Sequence, residues 1–373
     1  MDIAPYLKLM AEKGASDLFF STGAPVNIKL EGISAPLGSQ KLQPGMVQKL
    51  AYGIISDEQK KAFEETLELN FAIAVHDVGR FRINLYRQRG EAAMVVRYIQ
   101  SHIPSIEALH LPAILKDLVL EPRGLVLIVG ATGSGKSTTL AAMIDHRNSH
   151  RTGHVLTIEE PIEFVHQHKK SIVDQREIGL DTLSYSNALK NAMREAPDVI
   201  LIGEIRDQET MQHAMSYAET GHLCLSTLHA NNANQTLDRI INFFPELAHH
   251  QLLLDLSLNL RAVVSQRLVP GVDGKRVAAV EVMLKSPYIS ELIEKGDIDS
   301  IKDAIEKGTG EGMQTFDQSL YELYTQGKIS RDEALSNADS RNNLSLKMRL
   351  SGAIKKDEAS ENMTFNKDTS TSD

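Results

Sequence analysis

Residues 124–140 read Gly-Leu-Val-Leu-Ile-Val-Gly-Ala-Thr-Gly-Ser-Gly-Lys-Ser-Thr-Thr-Leu. Leu125 to Val129 is an unbroken apolar run, the mark of a strand buried on both faces. Gly130-x-x-x-x-Gly135-Lys136-Ser137 follows at once, and Thr138 to Asp145 has one apolar side at helical spacing. A strand, a glycine loop and a helix in that order commit the chain to an α/β fold and give a phosphate-binding loop its confirming context. Backbone N–H groups of Gly130, Ala131, Thr132, Gly133, Ser134 and Gly135 can close around phosphate oxygens, where the helix N-terminus adds partial positive charge. Lys136 would reach the terminal phosphates, the Ser137 hydroxyl would hold Mg²⁺, and Thr138 ends the binding set.

The chain has 373 residues and a net charge of −9, which gives no basic signal for nucleic acid. A lone cysteine, Cys224, excludes an intrachain disulfide framework and any multi-cysteine metal site, and fits a reducing cytoplasm. The first residues lack the regions of a signal peptide, and no apolar run reaches bilayer length. A membrane role is therefore expected to go through a partner, without direct insertion.

Residues 1–100 read as a small α+β domain. Ile3 to Lys13 has helical spacing and stops at Gly14, and Ser16 to Leu30 reads as two strands broken at Gly23-Ala-Pro25. Residues 44–69 carry helical patterns around Gly53, and Arg80–Arg87 with Ala92–Ile99 form a hairpin about Arg89-Gly90-Glu91. A proline-containing connector, 101–112, separates this domain from a second over 113–352. There, apolar runs at 125–129, 154–158, 198–202 and 222–226 alternate with helical stretches such as Tyr185–Arg194 and Glu209–Glu219, which implies a parallel sheet. From about 245 the pattern is mostly helical, with a late strand expected where Leu344, Leu346, Met348 and Leu350 alternate with polar residues. Residues 353–373 read as a disordered polar tail.

Three further segments carry candidate chemistry. Asp198–Glu204 is expected to lie beside the loop strand and to present Glu204 at its carboxyl end, where ligands gather in open α/β sheets. His154–Ile158 leads into Glu159, Glu160 and Glu163, one of which should orient an attacking water; spacing does not choose among them. Gly221 to Ala230 is a strand with His222 and His229 at its ends, too far apart for one compact zinc site and suited to phosphate sensing or a subunit contact. Arg80, Arg82, Arg87, Arg89 and Arg97 cluster on the hairpin, either as a solvated face or as arginine fingers for a neighbouring subunit's nucleotide.

Taken in order, Gly130–Thr139, Thr157–His166, Ile202–Asp207 and Thr220–His229 resemble the Walker A, aspartate-box, Walker B and histidine-box motifs of the secretion-type hexameric ATPases. The resemblance is strongest to the type IV pilus retraction ATPases (the PilT/PilU family) and spans roughly residues 1–350. It implies a PAS-like N-terminal domain, a RecA-like P-loop domain with a mostly helical C-terminal part, ATP and Mg²⁺, and a homo-hexamer. It also implies that Glu163 orients water, Glu204 is the Walker B carboxylate, His222 and His229 relay the nucleotide state, and Arg80, Arg82 and Arg97 cross to the adjoining site. In Ser286–Lys295, Ser290 and Glu294 stand where retraction members carry arginines, which resembles the accessory, PilU-like branch. That branch implies work with a PilT-like ATPase and an inner-membrane platform protein, at the cytoplasmic face of the pilus base. Three other readings compete: an ATP-binding coupling subunit with little catalysis of its own; an assembly ATPase, against which the lone cysteine argues; and a nucleic-acid motor, against which the net charge of −9 argues.

Overall fold

The computed structural model describes residues 2–30, 32–76, 78–99 and 102–351. The expected polar tail, 353–373, and Ser101 at the start of the connector lie outside them. The chain divides into two compact units. One holds residues up to Ile103 together with Glu160–Gln167 and Arg176–Leu183; the other holds Pro104–Glu159, His168–Gln175 and Ser184 onward.

In the first unit, helices α1 (Ala4–Glu12), α2 (Met46–Tyr52) and α3 (Asp57–Thr66) accompany strands β1 (Asp17–Ser21), β2 (Asn27–Leu30), β3 (Ile33–Pro36), β4 (Glu68–Val75), β5 (Gly79–Gln88) and β6 (Glu91–Ile99). The strands form one sheet in the order β3-β2-β1-β6-β5-β4, every neighbouring pair antiparallel. Alternation along β5 sends Phe81, Ile83 and Leu85 into a core shared with Leu7, Leu50 and Phe63 of the helices. Arg80 and Arg82 take the opposite face. Gln88 pairs with Glu91 across a two-residue turn in which Arg89 (φ 50°) and Gly90 (φ 80°) both have positive φ, as a primed turn requires. In register, Arg82 lies opposite Arg97, and Arg97 opposite Asp17.

The second unit contains α4 (Ile114–Leu120), β7 (Gly124–Val129), α5 (Lys136–His150), β8 (Gly153–Glu159) and β9 (Ser171–Glu177), whose last two residues are counted with the first unit. Then come α6 (Tyr185–Ala192), β10 (Val199–Ile202), α7 (Gln208–Glu219), β11 (Leu223–Leu228), α8 (Ala233–Asn242) and α9 (His249–Asn259). The chain continues through β12 (Leu260–Pro270), β13 (Arg276–Leu284), α10 (Pro287–Lys295), α11 (Ile301–Lys307), α12 (Phe316–Thr325), α13 (Arg331–Ser336) and α14 (Arg341–Leu350). A seven-stranded sheet runs β13-β12-β7-β11-β10-β8-β9, with β12, β7, β11, β10 and β8 mutually parallel and β13 antiparallel at one edge. Every residue of β7, β10 and β11 is buried, as helices on both faces demand. None of the described helices is long and apolar enough to cross a membrane.

Two expectations are corrected and a third is extended. The strand before Glu204 is not beside the loop strand: β11 lies between β7 and β10. The part beyond 245 starts with α9 and is mostly helical as expected, but it is not all helix: β12 and β13 form a long, unexpected hairpin that extends the sheet. The late alternating segment is helix α14, not a strand. Leu344 and Met348, four apart, are buried, whereas Leu346 (55% exposed) and Leu350 (79%) face outward, a division that only a helical period produces.

Candidate nucleotide site

The loop joins the carboxyl end of β7 to the N-terminus of α5, with Gly135 at the cap. Only glycine suits position 130. Its φ is 154°, and a Cβ there would come within 2.4 Å of Ser134 Oγ and 2.5 Å of the Gln266 carbonyl oxygen. Lys136 Nζ donates to the carbonyls of Gly130 (2.8 Å) and Ala131 (3.0 Å). Ser134 Oγ is buried with no hydrogen-bond partner. Behind the loop, Thr139 Oγ1 donates to Gln266 Oε1 at 2.7 Å within the core, so β12 braces the first turn of α5. Ser137 and Thr138 are half-buried in that turn.

A cavity of about 580 Å³ opens on one side of the loop, lined by Leu109, Leu111, Thr138, Gln266, Leu268 and Val277 among others. Its size and mixed apolar and polar walls suit a small ligand such as a nucleoside. A second cavity, about 530 Å³, contains Gly130, Ala131 and His229. His229 follows the carboxyl end of β11, and its Nε2 lies 3.0 Å from Glu204 Oε1. Glu204 Oε2 accepts from Arg206 Nε at 2.7 Å. Loop, His229 and Glu204 therefore gather at the carboxyl edge of the parallel strands.

Of the three neighbouring carboxylates, Glu159 ends β8 in this unit, and its Oε1 accepts from Thr157 Oγ1 (2.6 Å) and Gln175 Nε2 (3.1 Å). Glu160 and Glu163 are exposed and belong to the first unit. His222 is not where a nucleotide relay was expected. It precedes Leu223, which pairs with Gly124 at the start of β7, whereas the loop leaves the far end of β7 beside Leu228. The six residues of β11 put about 20 Å between the two edges. There, His222 Nδ1 meets Thr220 Oγ1 (3.1 Å) and the Tyr217 carbonyl (3.2 Å).

The arginines sit in the first unit with carboxylates of the same unit. Arg82 Nη1 is 3.4 Å from Glu177 Oε1, and Arg97 Nε donates to Asp17 Oδ1 at 2.9 Å. Glu177 is fully buried, and its other oxygen accepts from the Ile162 N–H at 3.4 Å. Arg80 shares the Arg82 face of β5 and is half-buried. Among the described residues no group of three or more His, Cys, Asp or Glu is placed to hold a metal ion.

The residues the sequence did not single out are Gln266, Thr139, Arg206 and Gln175. Gln266 lay in a segment read as helix. Arg206 stood within the Walker B stretch but carried no spacing signal of its own.

A family model described as "Type II/IV secretion system protein" matches residues 3–335. The type IV pilus ATPase PilU of Pseudomonas aeruginosa is 53% identical over 351 residues, 94% of this chain and 92% of that protein. The protein described as "Type IV pilus retractation ATPase PilT" of the same organism is 45% identical, covering 91% of this chain and 98% of its own length. Among solved structures, the pilus retraction motor PilT with bound ADP superposes with a TM-score of 0.86 at 40% identity, covering 92% of this chain and 98% of that one. The Legionella pneumophila ATPase DotB follows at 0.74 and 27%, covering 89% and 94%. With its glycine loop, its buried parallel strands and Glu204 at their edge, this chain belongs to the type II/IV secretion system protein family and is a nucleotide-binding ATPase within it.

Proposed function

We propose that the chain hydrolyses ATP to power pilus retraction (twitching motility), as a homo-hexameric ring at the cytoplasmic face of the inner membrane. There it acts with a PilT-like ATPase on a platform protein. The observation that carries the chemistry is the His229–Glu204 contact at the mouth of the phosphate loop. Mg²⁺, when bound, would neutralise phosphate charge. A magnesium site needs few protein ligands beside phosphate and water, which fits the Ser137 hydroxyl on the first turn of α5 better than a closed cage.

In this reading, N–H groups of Gly130 to Thr138 bind the phosphates, with Ser134 Oγ turned into the loop. Lys136 exchanges its carbonyl partners for phosphate oxygens. His229 holds Glu204 in orientation and senses the nucleotide through the shared cavity. Glu163, assigned by its motif, orients the attacking water; catalysis of this kind is mainly positioning and charge stabilisation. Arg80, Arg82 and Arg97 supply positive charge to the adjoining subunit's site, Arg82 by leaving Glu177. His222, a strand length from the loop, reports to a subunit contact rather than to its own nucleotide. The six antiparallel strands with helices against one face support reading the first unit as PAS-like.

The accessory reading rests on α10, where Ser290 is half-buried and Glu294 exposed in place of arginines. An ATP-binding coupling subunit is the alternative that the same helix favours. The test is Mg²⁺-dependent ATP hydrolysis by the purified protein, alone and mixed with its PilT-like partner, with Lys136→Ala and Glu204→Ala as controls. Activity lost in both variants supports the motor. Pilus retraction in cells that survives Glu204→Ala would assign the coupling role instead.

A further inference from the structure

Glu281, on β13, is a carboxylate that none of these roles uses, and it is 2% exposed. It lies in register with Ser265 of β12, which is in register with Val129, the last residue of β7 before Gly130. Its Oε1 accepts from the Ser265 hydroxyl at 2.9 Å and from the Ala233 backbone N–H at 2.8 Å, both inside the core. Ala233 opens α8, so this N–H is one of the donors that a helix start leaves without an intrahelical acceptor. Ala233 is fully buried, which keeps water from replacing Glu281.

The N-cap of α8 is already served from within. The Asn232 side chain accepts from Gln235 N at 2.9 Å, and Gln235 Oε1 closes back onto Asn231. Glu281 is thus a second constraint, reaching the same turn from a strand 48 residues further on. Burial raises its carboxyl pKa, so the charged form is costly here, although the α8 N-terminus and the two donors favour it. A neutral side chain would fill the space at lower cost if packing were the only requirement.

The turn so fixed is the one that carries His229. One end is held by β11, where Leu228 pairs with Val129. The other end is held by Glu281 at Ala233. We propose that Glu281 is the positioning residue for His229: by tying the first N–H of α8 to the β12–β13 hairpin, it sets where the imidazole meets Glu204. The same row of residues abuts Gly130, so phosphate loop and His229 are referred to one rigid base. The proposal rests on the role given above to the His229–Glu204 contact.

The experiment compares wild type, His229→Ala, Glu281→Ala, Glu281→Gln and the Glu281→Ala/His229→Ala double variant. It measures steady-state ATP hydrolysis, affinity for a non-hydrolysable ATP analogue and thermal unfolding of the full chain. His229→Ala should lower kcat with analogue affinity little changed. Glu281→Ala should lower kcat by about tenfold or more, the scale of a group displaced by a fraction of an ångström, and leave analogue affinity within about threefold. Glu281→Gln keeps an acceptor for Ala233 and should recover most of kcat. The double variant should be no slower than His229→Ala alone, because both act through one contact. If Glu281→Ala does not fold, Glu281→Asp, which withdraws the acceptor by one methylene, should show an intermediate loss.

A folded Glu281→Ala or Glu281→Asp with wild-type kcat overturns the proposal while leaving His229 in place. Losses that add to those of His229→Ala, or that track analogue affinity and unfolding temperature, also overturn it, by showing a structural role alone. An unaltered kcat in His229→Ala removes the His229 reading itself.

Discussion

Arg82 has two claims on its charge. Within the first unit it pairs with Glu177, a fully buried carboxylate whose Oε1 has no hydrogen bond. Removing Arg82 takes a counter-charge from that buried carboxylate, at a cost of about 3 kcal/mol. Arg82→Ala should therefore lower the unfolding temperature markedly, whereas Arg80→Ala should stay within about 0.5 kcal/mol of wild type. Thermal unfolding of both variants is the check, and only a folded Arg82 variant speaks to a role at a neighbouring site. Glu281 gives a residue-scale prediction of the opposite kind. Its raised pKa means the folded chain keeps this proton to higher pH than the unfolded chain does. The stability it contributes is complete below the ordinary glutamate range and is lost as pH rises through the raised value. Unfolding temperatures from acid to neutral pH should shift steadily in favour of Glu281→Gln over wild type. At this scale the sequence displayed the phosphate loop, Glu204 and His229, because each ends a recognisable apolar run. It hid Gln266 and Glu281, whose meaning depends on which strands lie side by side.

Elements were legible where residue chemistry punctuates them. Gly14, Gly23-Ala-Pro25 and Arg89-Gly90 mark real boundaries in the first unit. β4 escaped notice because α3 ends at Leu67, a non-glycine residue at φ 65°, so no glycine announces the break. β12 escaped because α9 runs into it through Leu260 without glycine or proline, although the valine-rich arms flanking Asp273-Gly274 carry a hairpin signal. α14 was misread because four apolar residues at every second position satisfy a strand pattern, while only two of them are buried. The helical register makes a test: Leu344→Ala and Met348→Ala should each cost about 2–5 kcal/mol, and Leu346→Ala less than about 0.5 kcal/mol. Chemical denaturation of the three variants measures the difference. A strand would have made the three sites alike.

At the scale of the molecule, the class of fold followed from strand and helix alternation, but the strand order did not. The sequence cannot say that β11 separates β7 from β10, because neighbours in a parallel sheet are chosen by crossovers whose lengths permit several orders. That order buries Cys224 completely in the middle of the sheet, and burial pushes its thiol pKa well up. A thiol-alkylating reagent should leave Cys224 unmodified in the folded chain and react once the second unit unfolds, so labelling against denaturant reports global opening of that unit.

The division of the chain into units has a consequence for gene fusions. The chain passes between them at 103/104, 159/160, 167/168, 175/176 and 183/184. A chimera that transfers only residues 1–103 onto another ATPase leaves behind Glu177, and with it the counter-ion of Arg82 and the acceptor of Ile162. The first unit is not a cassette with one seam. Swapping it intact means transplanting Glu160–Gln167 and Arg176–Leu183 in the same exchange, and half-transplants should inherit a hairpin whose arginine has lost its mate.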